Sequence, residues 1–260
     1  MAATVLVAGT LALILAEEAS ARPRTITIHK PIGVVGGNDI AITMLVGPVD
    51  SPFPFVLTPV DFAAADVGPF GFLVDPNPAW TGPLAADPSV PWLSTSATGS
   101  IEGSSGLYSL PFTIECSSIF SATLDIDFLV DNALGDPNNE GVFINAQPVV
   151  GSTLFVDPPS ASHFQVDQSF PTFDITSLVN PGLNRVYLNA PDQGGPSGLR
   201  FIVEITTECN DEPIGGEILP IDMTALFVAG TFTNAFWILP TLGGIAGAAF
   251  ALFKINRKHD

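Results

Sequence analysis

Ala122-Thr-Leu-Asp-Ile-Asp-Phe-Leu-Val-Asp-Asn132 is the stretch on which the fold turns. Leu124, Ile126, Phe128 and Val130 alternate with Thr123, Asp125, Asp127 and Leu129, the period-2 pattern of a strand with one face in a core. The run closes on Asp131-Asn132, and turn formers follow: Gly135, Asp136, Pro137, Asn138 and Asn139. The same grammar extends outward. Thr25–Ile28, Ile40–Val46, Tyr108–Cys116, Gly141–Asn145, Pro148–Phe155, Asn184–Asn189 and Leu199–Thr207 all read as strands bounded by Pro, Gly, Asp or Asn. No stretch between the two ends sustains a 3.6-residue period. The fold class is therefore all-β, and the region before the tail is long enough for one sandwich core.

Two segments depart from that rhythm. Ser51 to Trp92 is dense in proline, from Pro52 to Pro91, and is expected to run over the surface with short edge strands at most. Asp174-Ile-Thr-Ser-Leu-Val179, followed by Asn180-Pro-Gly182, predicts a single helical turn and a tight reversal.

The ends of the chain carry location signals. Residues 1–21 resemble a signal peptide, with a short apolar run from Thr4 to Ala16 and a small-x-small site at Ala19-Ser20-Ala21, although no Lys or Arg precedes the run. N-terminal strands are expected over 22–50, the sandwich over 51–209 and a polar linker over 210–222. Met223 to Phe253 contains no charged residue, and Lys254, Arg257 and Lys258 follow it. Ala235 to Phe253 alone approaches the roughly 20 helical residues that cross a bilayer core. The run predicts a C-terminal transmembrane α-helix, with 254–260 as a basic cytoplasmic tail and the sandwich outside the cell. In that compartment the chain's two cysteines, Cys116 and Cys209, are expected to form one disulfide.

Charge narrows the partners. The chain has 26 acidic and 8 basic residues, a net charge of −18. Between Pro31 and Pro220 the only bases are Arg185 and Arg200, against 22 acids, a net of −20. Such a surface repels nucleic acid and attracts cations or basic partners. No Asn-x-Ser/Thr occurs, so N-glycosylation is not expected.

The series Ala122 to Asn132, Val142-Phe-Ile-Asn145, Phe173-Asp-Ile-Thr-Ser-Leu-Val-Asn-Pro-Gly-Leu-Asn184 and Gly194-Gly-Pro-Ser-Gly-Leu199 resembles the galactose-binding-like jelly-roll sandwich. Trp80 and Trp92-Leu-Ser match that family's approach to its first core strand, and the likeness covers roughly Phe53 to Cys209. Ala146 departs from it, since the family usually has Gly after the Asn. Separately, Gly215-Gly-Glu-Ile-Leu-Pro-Ile-Asp222, Thr224-Ala-Leu, Trp237 and Pro240 resemble the C-terminal anchor of archaeal exported surface proteins. Neither resemblance implies an activity, because that sandwich hosts sugar-binding, adhesive and enzyme-accessory domains alike.

Chemistry is sparse. No nucleophile elbow, zinc-protease helix motif or phosphate-binding glycine loop occurs. Of three histidines only His163 falls on a domain loop, where a solvent-exposed position is expected. The chain is not expected to be an enzyme. A surface hydrolase built on a carboxylate pair is the distant alternative. Asp131, Asp136, Asn138 and Glu140 are the candidate oxygen ligands for Ca2+, against the plainer reading of a turn-rich loop. Trp80, Trp92 and Tyr108, with Asp131, Asn132 and Asn145, are the candidate carbohydrate-binding residues. Asp131, Asn132 and Asn145 read equally well as groups that bond loop backbone. The primary expectation is a membrane-anchored surface protein for adhesion or envelope structure, whose partners are the membrane, other envelope proteins or surface glycans. The alternative is a glycan-binding module.

Overall fold

The computed structural model describes residues 24–210 except 159 and 161, all within the first of the two units into which the chain divides, Met1–Pro213. The signal-like segment 1–21, most of the linker 210–222, the apolar run 223–253 and the tail 254–260 lie outside the described residues. No described helix is long and apolar enough to cross a membrane.

The chain opens with strand β1 (Arg24–His29) and strand β2 (Asn38–Val46), then helix α1 (Pro59–Asp66) and strands β3 (Phe70–Val74) and β4 (Trp92–Ser94). Two long strands follow, β5 (Gly106–Ile114) and β6 (Ile119–Val130), then the short pair β7 (Val142–Ile144) and β8 (Gln147–Pro148). A single turn α2 (Ser162–Gln165) leads to β9 (Gln168–Ser169), β10 (Phe173–Asp174), β11 (Gly182–Ala190) and β12 (Leu199–Cys209). Every pairing is antiparallel.

The alternation read from Ala122–Asn132 becomes register here. On β6 and β12, Val130 faces Leu199, Phe128 faces Phe201, Ile126 faces Val203 and Leu124 faces Ile205, all of them buried. On the other long pair, β5 and β11, Leu110 lies opposite Val186 and Phe112 opposite Asn184. Leu110, Phe112, Val186 and Leu188 share one core cluster with the β6 and β12 residues although the two pairs are not hydrogen-bonded neighbours. The two long pairs are therefore the facing layers of a β-sandwich. The ladder passes between the layers through β4, β3 and β2 in the order β6-β12-β4-β3-β2-β5-β11.

The proline-rich segment is more ordered than its composition predicts. It contains α1, where Pro59 occupies the first turn, the position at which a missing N–H costs least. Thr58 donates from both N–H (2.8 Å) and hydroxyl (2.6 Å) to Asp61 Oδ2, fixing the helix start. Phe62 then packs on Phe143 and Tyr187 at ring separations of 5.0 and 4.9 Å and covers the outer face of β7 and β11. β3, in the same segment, is an internal strand between β2 and β4 rather than an edge. Its prolines flank it, so no ladder donor is lost.

Two other expectations shift. Residues 148–155 form only the short β8 and an isolated bridge between Leu134 and Leu154. Asp174–Val179 is a strand end and a turn closed by Leu178 N–H on Ile175 O at 2.9 Å, not a helical turn. Asn184 holds that corner by donating to Asn180 O (2.7 Å) and Gly182 O (2.9 Å), and Asn145 braces it by donating to Leu178 O (2.9 Å).

Cys116 follows β5 and Cys209 ends β12, and the two are disulfide-bonded with Cα atoms 5.8 Å apart. The bond ties one layer to the other across a sequence separation of 93. In the chain-entropy model, replacing both cysteines by serine should remove roughly 3–5 kcal/mol of stability, read from urea unfolding. An unchanged midpoint would show that the crosslink adds nothing.

Asn145 (φ 51) and Ala146 (φ 64) form the two-residue turn between Ile144 and Gln147. Both are left-handed, as that hairpin turn requires, and alanine is strained there while glycine is not. Ala146→Gly should therefore raise the unfolding free energy by about 1 kcal/mol. A lower urea midpoint for the variant would contradict this.

Candidate functional site

Trp80 and Trp92 stack on each other at 4.4 Å between ring centroids, with 5% and 1% of their surface exposed. Val74, Leu84, Val90 and Leu129 surround them, so neither ring offers a free face to a sugar. The Trp80 indole N–H donates to Asp131 Oδ1, which β6 delivers at its C-terminal end. Gly198 makes room for this packing, because a Cβ there would lie 2.6 Å from the Trp80 ring. Arg200 places its guanidinium 5.7 Å from the Trp92 centroid and donates to Gly82 O at 3.2 Å, closing the cluster from the β12 side.

Asn132 is equally committed to the interior. Its amide donates to Asp192 Oδ1 (3.2 Å) and Pro196 O (3.1 Å), holding the glycine-rich turn that precedes β12. Asp192 in turn accepts the backbone N–H of Asp50 (2.8 Å) and Gly194 (2.9 Å), and its own N–H donates to Ser105 Oγ (2.7 Å). His163 is buried rather than exposed: Nδ1 lies 2.9 Å from Asn132 O, a contact in which the carbonyl accepts. Its neighbour Phe164 packs on the tryptophan cluster, which draws α2 inward.

The remaining sequence candidates disperse. Tyr108 is a core residue on β5, and burial raises its hydroxyl pKa. Asn145 bonds Leu178, Asn184 and Arg185 within the corner already described. Asp136 is buried, with its carboxylate bonded by the N–H groups of Asn138 (2.8 Å) and Asn139 (3.0 Å) and by the Asn189 amide (3.0 Å). Glu140 turns away to accept from Gly151 N–H (3.2 Å) and the Thr153 hydroxyl (2.7 Å). Asn138 is exposed, and Asp131 lies under the tryptophans. The four proposed calcium ligands are thus not assembled, and no group of three or more acidic, His or Cys side chains fit to hold a metal occurs among the described residues.

A concavity lies elsewhere, among the loop tips. A cavity of about 480 Å³ opens among the loops after β2, β6, β8 and β11, lined by Asp50, Phe53, Asn138, Phe155, Asp157 and Gln193 with several prolines. Only Asn138 among these was singled out from sequence. The others come from four separate loops, and no periodicity or spacing joins them.

No family model matches the chain. No curated protein matches it either. A solved structure from Bacteroides fragilis, provisionally described as a beta-galactosidase, shares 12% identity over 71% of this chain and 23% of its own, with a TM-score of 0.35. This chain spans less than a quarter of that protein's length, and so slight a likeness bears on neither fold nor activity.

The Asp131 carboxyl has a measurable signature. Burial pushes it up to about 7; the Trp80 N–H works against that rise and the Asp192 charge adds to it. In the unfolded chain it ionises near 3.8. Its contribution to stability is complete below that value, falls as pH rises toward 7 because only the unfolded chain releases the proton, and is constant above. Asp131→Asn keeps the acceptor for Trp80 and removes the titration. The stability difference between wild type and variant should change by up to roughly 4 kcal/mol across this window. Parallel pH profiles of the urea midpoint would exclude the raised pKa.

Proposed function

We propose that the chain is a membrane-anchored, acidic cell-surface protein whose non-catalytic sandwich, a jelly roll of the galactose-binding-like kind, serves adhesion or envelope structure. The observation that carries this reading is the internal use of the candidate groups. Trp80, Trp92, Tyr108, Asp131, Asn132 and Asp136 are all buried, and the polar ones hold loops in place. What is left for the outside is an acidic surface on a disulfide-braced scaffold. The apolar run 223–253 and the basic tail support the anchor. Glycan recognition, the other reading of the sequence, keeps no aromatic platform at the tryptophans or at Tyr108.

Protease added to intact cells expressing the full chain should remove the sandwich and leave a short membrane-bound fragment carrying Lys254 to Asp260. The purified full chain should turn over no glycoside in a chromogenic panel. Protection of the sandwich from protease would reverse the orientation, and turnover abolished by Asp131→Asn would make the chain an enzyme.

A further inference from the structure

The loops that line the 480 Å³ cavity are braced from behind. The Ser105 hydroxyl donates to Ser51 O at 2.7 Å, and Asp192 Oδ2 accepts the Asp50 N–H at 2.8 Å. Asn139 accepts the Leu57 N–H at 2.7 Å and donates to Phe55 O at 3.0 Å, locking the loop after β2 to the loop after β6. Gln193 Nε2 donates to Val156 O at 3.2 Å and ties in the loop after β8. A cleft of this size lies within the range of ligand sites, and one held by its own bonds loses little entropy when filled.

The unpaired polar atoms in it are acceptors. Gln193 Oε1 is buried without a hydrogen-bond partner. Asp157 takes part in no hydrogen bond or ion pair among the described residues, and the Asp50 side chain receives only a long bond from Gly195 N–H at 3.4 Å. No Lys, Arg or His lines the cavity, whereas Pro52, Pro54, Pro137 and Phe155 give it apolar walls. Two carboxylates and an amide oxygen beside an aromatic ring suit a triple donor on an aliphatic stem.

We propose that this cleft binds a lysine side chain presented by a basic peptide segment of a partner. The ammonium group supplies three N–H donors to Asp50, Asp157 and Gln193 Oε1, and the methylene stem lies along Phe155 and the prolines. The net charge of −20 between Pro31 and Pro220 draws such a segment toward the surface, and the cleft gives it a place to dock. The site does not depend on how the chain is anchored, so it can fail while the surface reading stands, and the reverse.

The test is fluorescence anisotropy of a labelled Gly-Lys-Gly-Lys-Gly peptide with the full chain in detergent micelles at physiological salt. Saturable binding is expected, weakened at least about tenfold when the lysines are Nε-acetylated or when Asp157 is changed to Asn. Phe155→Ala should weaken binding with the charge unchanged, and Pro54→Ser replaces it if circular dichroism shows the alanine variant unfolded. Glu102→Gln, an exposed acid that does not line the cleft, should change affinity by less than about twofold. Absence of saturable binding overturns the proposal. So does an equal effect of Glu102→Gln and Asp157→Asn, which would mean diffuse attraction, or displacement of the peptide by calcium or a neutral glycan at constant ionic strength.

Discussion

Between Leu199↔Val130 and Glu208↔Ser121, β12 and β6 run side by side, and their inward residues Phe201, Val203 and Ile205 meet Phe128, Ile126 and Leu124. The outward residues of the same stretch include Asp125, Asp127, Arg200 and Glu204. A slip of one residue on β6 would turn Asp125 and Asp127 into the core, and a slip on β12 would turn in Arg200 and Glu204, where an unpaired charge costs several kcal/mol, so the register has one acceptable value. Everything described at the candidate site follows from it. The C-terminal end of β6 delivers Asp131 and Asn132, the start of β12 brings Gly198 against Trp80, and its end brings Cys209 to Cys116.

The second constraint is charge. The described residues contain few bases, and only two ion pairs form among them, Lys30 with Asp87 and Arg185 with Asp66. Backbone N–H groups take the place of cations. Asp39 accepts from Ile32, Ala41 and Ile42, Asp136 from Asn138 and Asn139, Asp192 from Asp50 and Gly194, and Asp167 from Ala85. Each such carboxylate satisfies loop backbone donors, some buried and some at the surface, so the acidity is part of how a loop-rich sandwich closes. Where this neighbourhood is tight it penalises ionisation. Asp127 is raised by burial and then by Asp167, Asp125 and Glu204.

The long strands were legible because their alternation is a property of consecutive residues. The disulfide was legible from two cysteines. Asn132 and Asn145 were legible as backbone-bonding groups, since Asx side chains at strand ends commonly serve turns, whereas Asp131, read the same way, bonds the Trp80 indole instead. α1 and the internal β3 were not: proline density argued for irregular coil, and what mattered was where each proline sat relative to a donor. His163 was misjudged on exposure, and the stacking of the two tryptophans was not foreseen, because burial depends on what α2 and the β3–β4 connection fold onto, and those contacts are distant in sequence. The cleft was illegible for the same reason at larger scale.

A fold that uses its polar side chains internally leaves informative exceptions. Trp92 Nε1 and Arg200 Nε are both unpaired, but both are donors and cannot satisfy each other. His29 Nε2 belongs to a ring packed edge-on against Phe112, and burial holds that imidazole toward its neutral form. These are consequences of packing. Gln193 Oε1 differs because its residue borders open volume while its amide nitrogen is already fixed to Val156. An acceptor oriented by its own second atom, on a residue that lines the cleft beside carboxylates and an aromatic wall, leaves hydrogen-bonding capacity unmet there. In a domain that elsewhere closes its loops with its own acids, that unmet acceptor is what favours the loop-tip cleft, rather than the tryptophan cluster, as the docking place we propose.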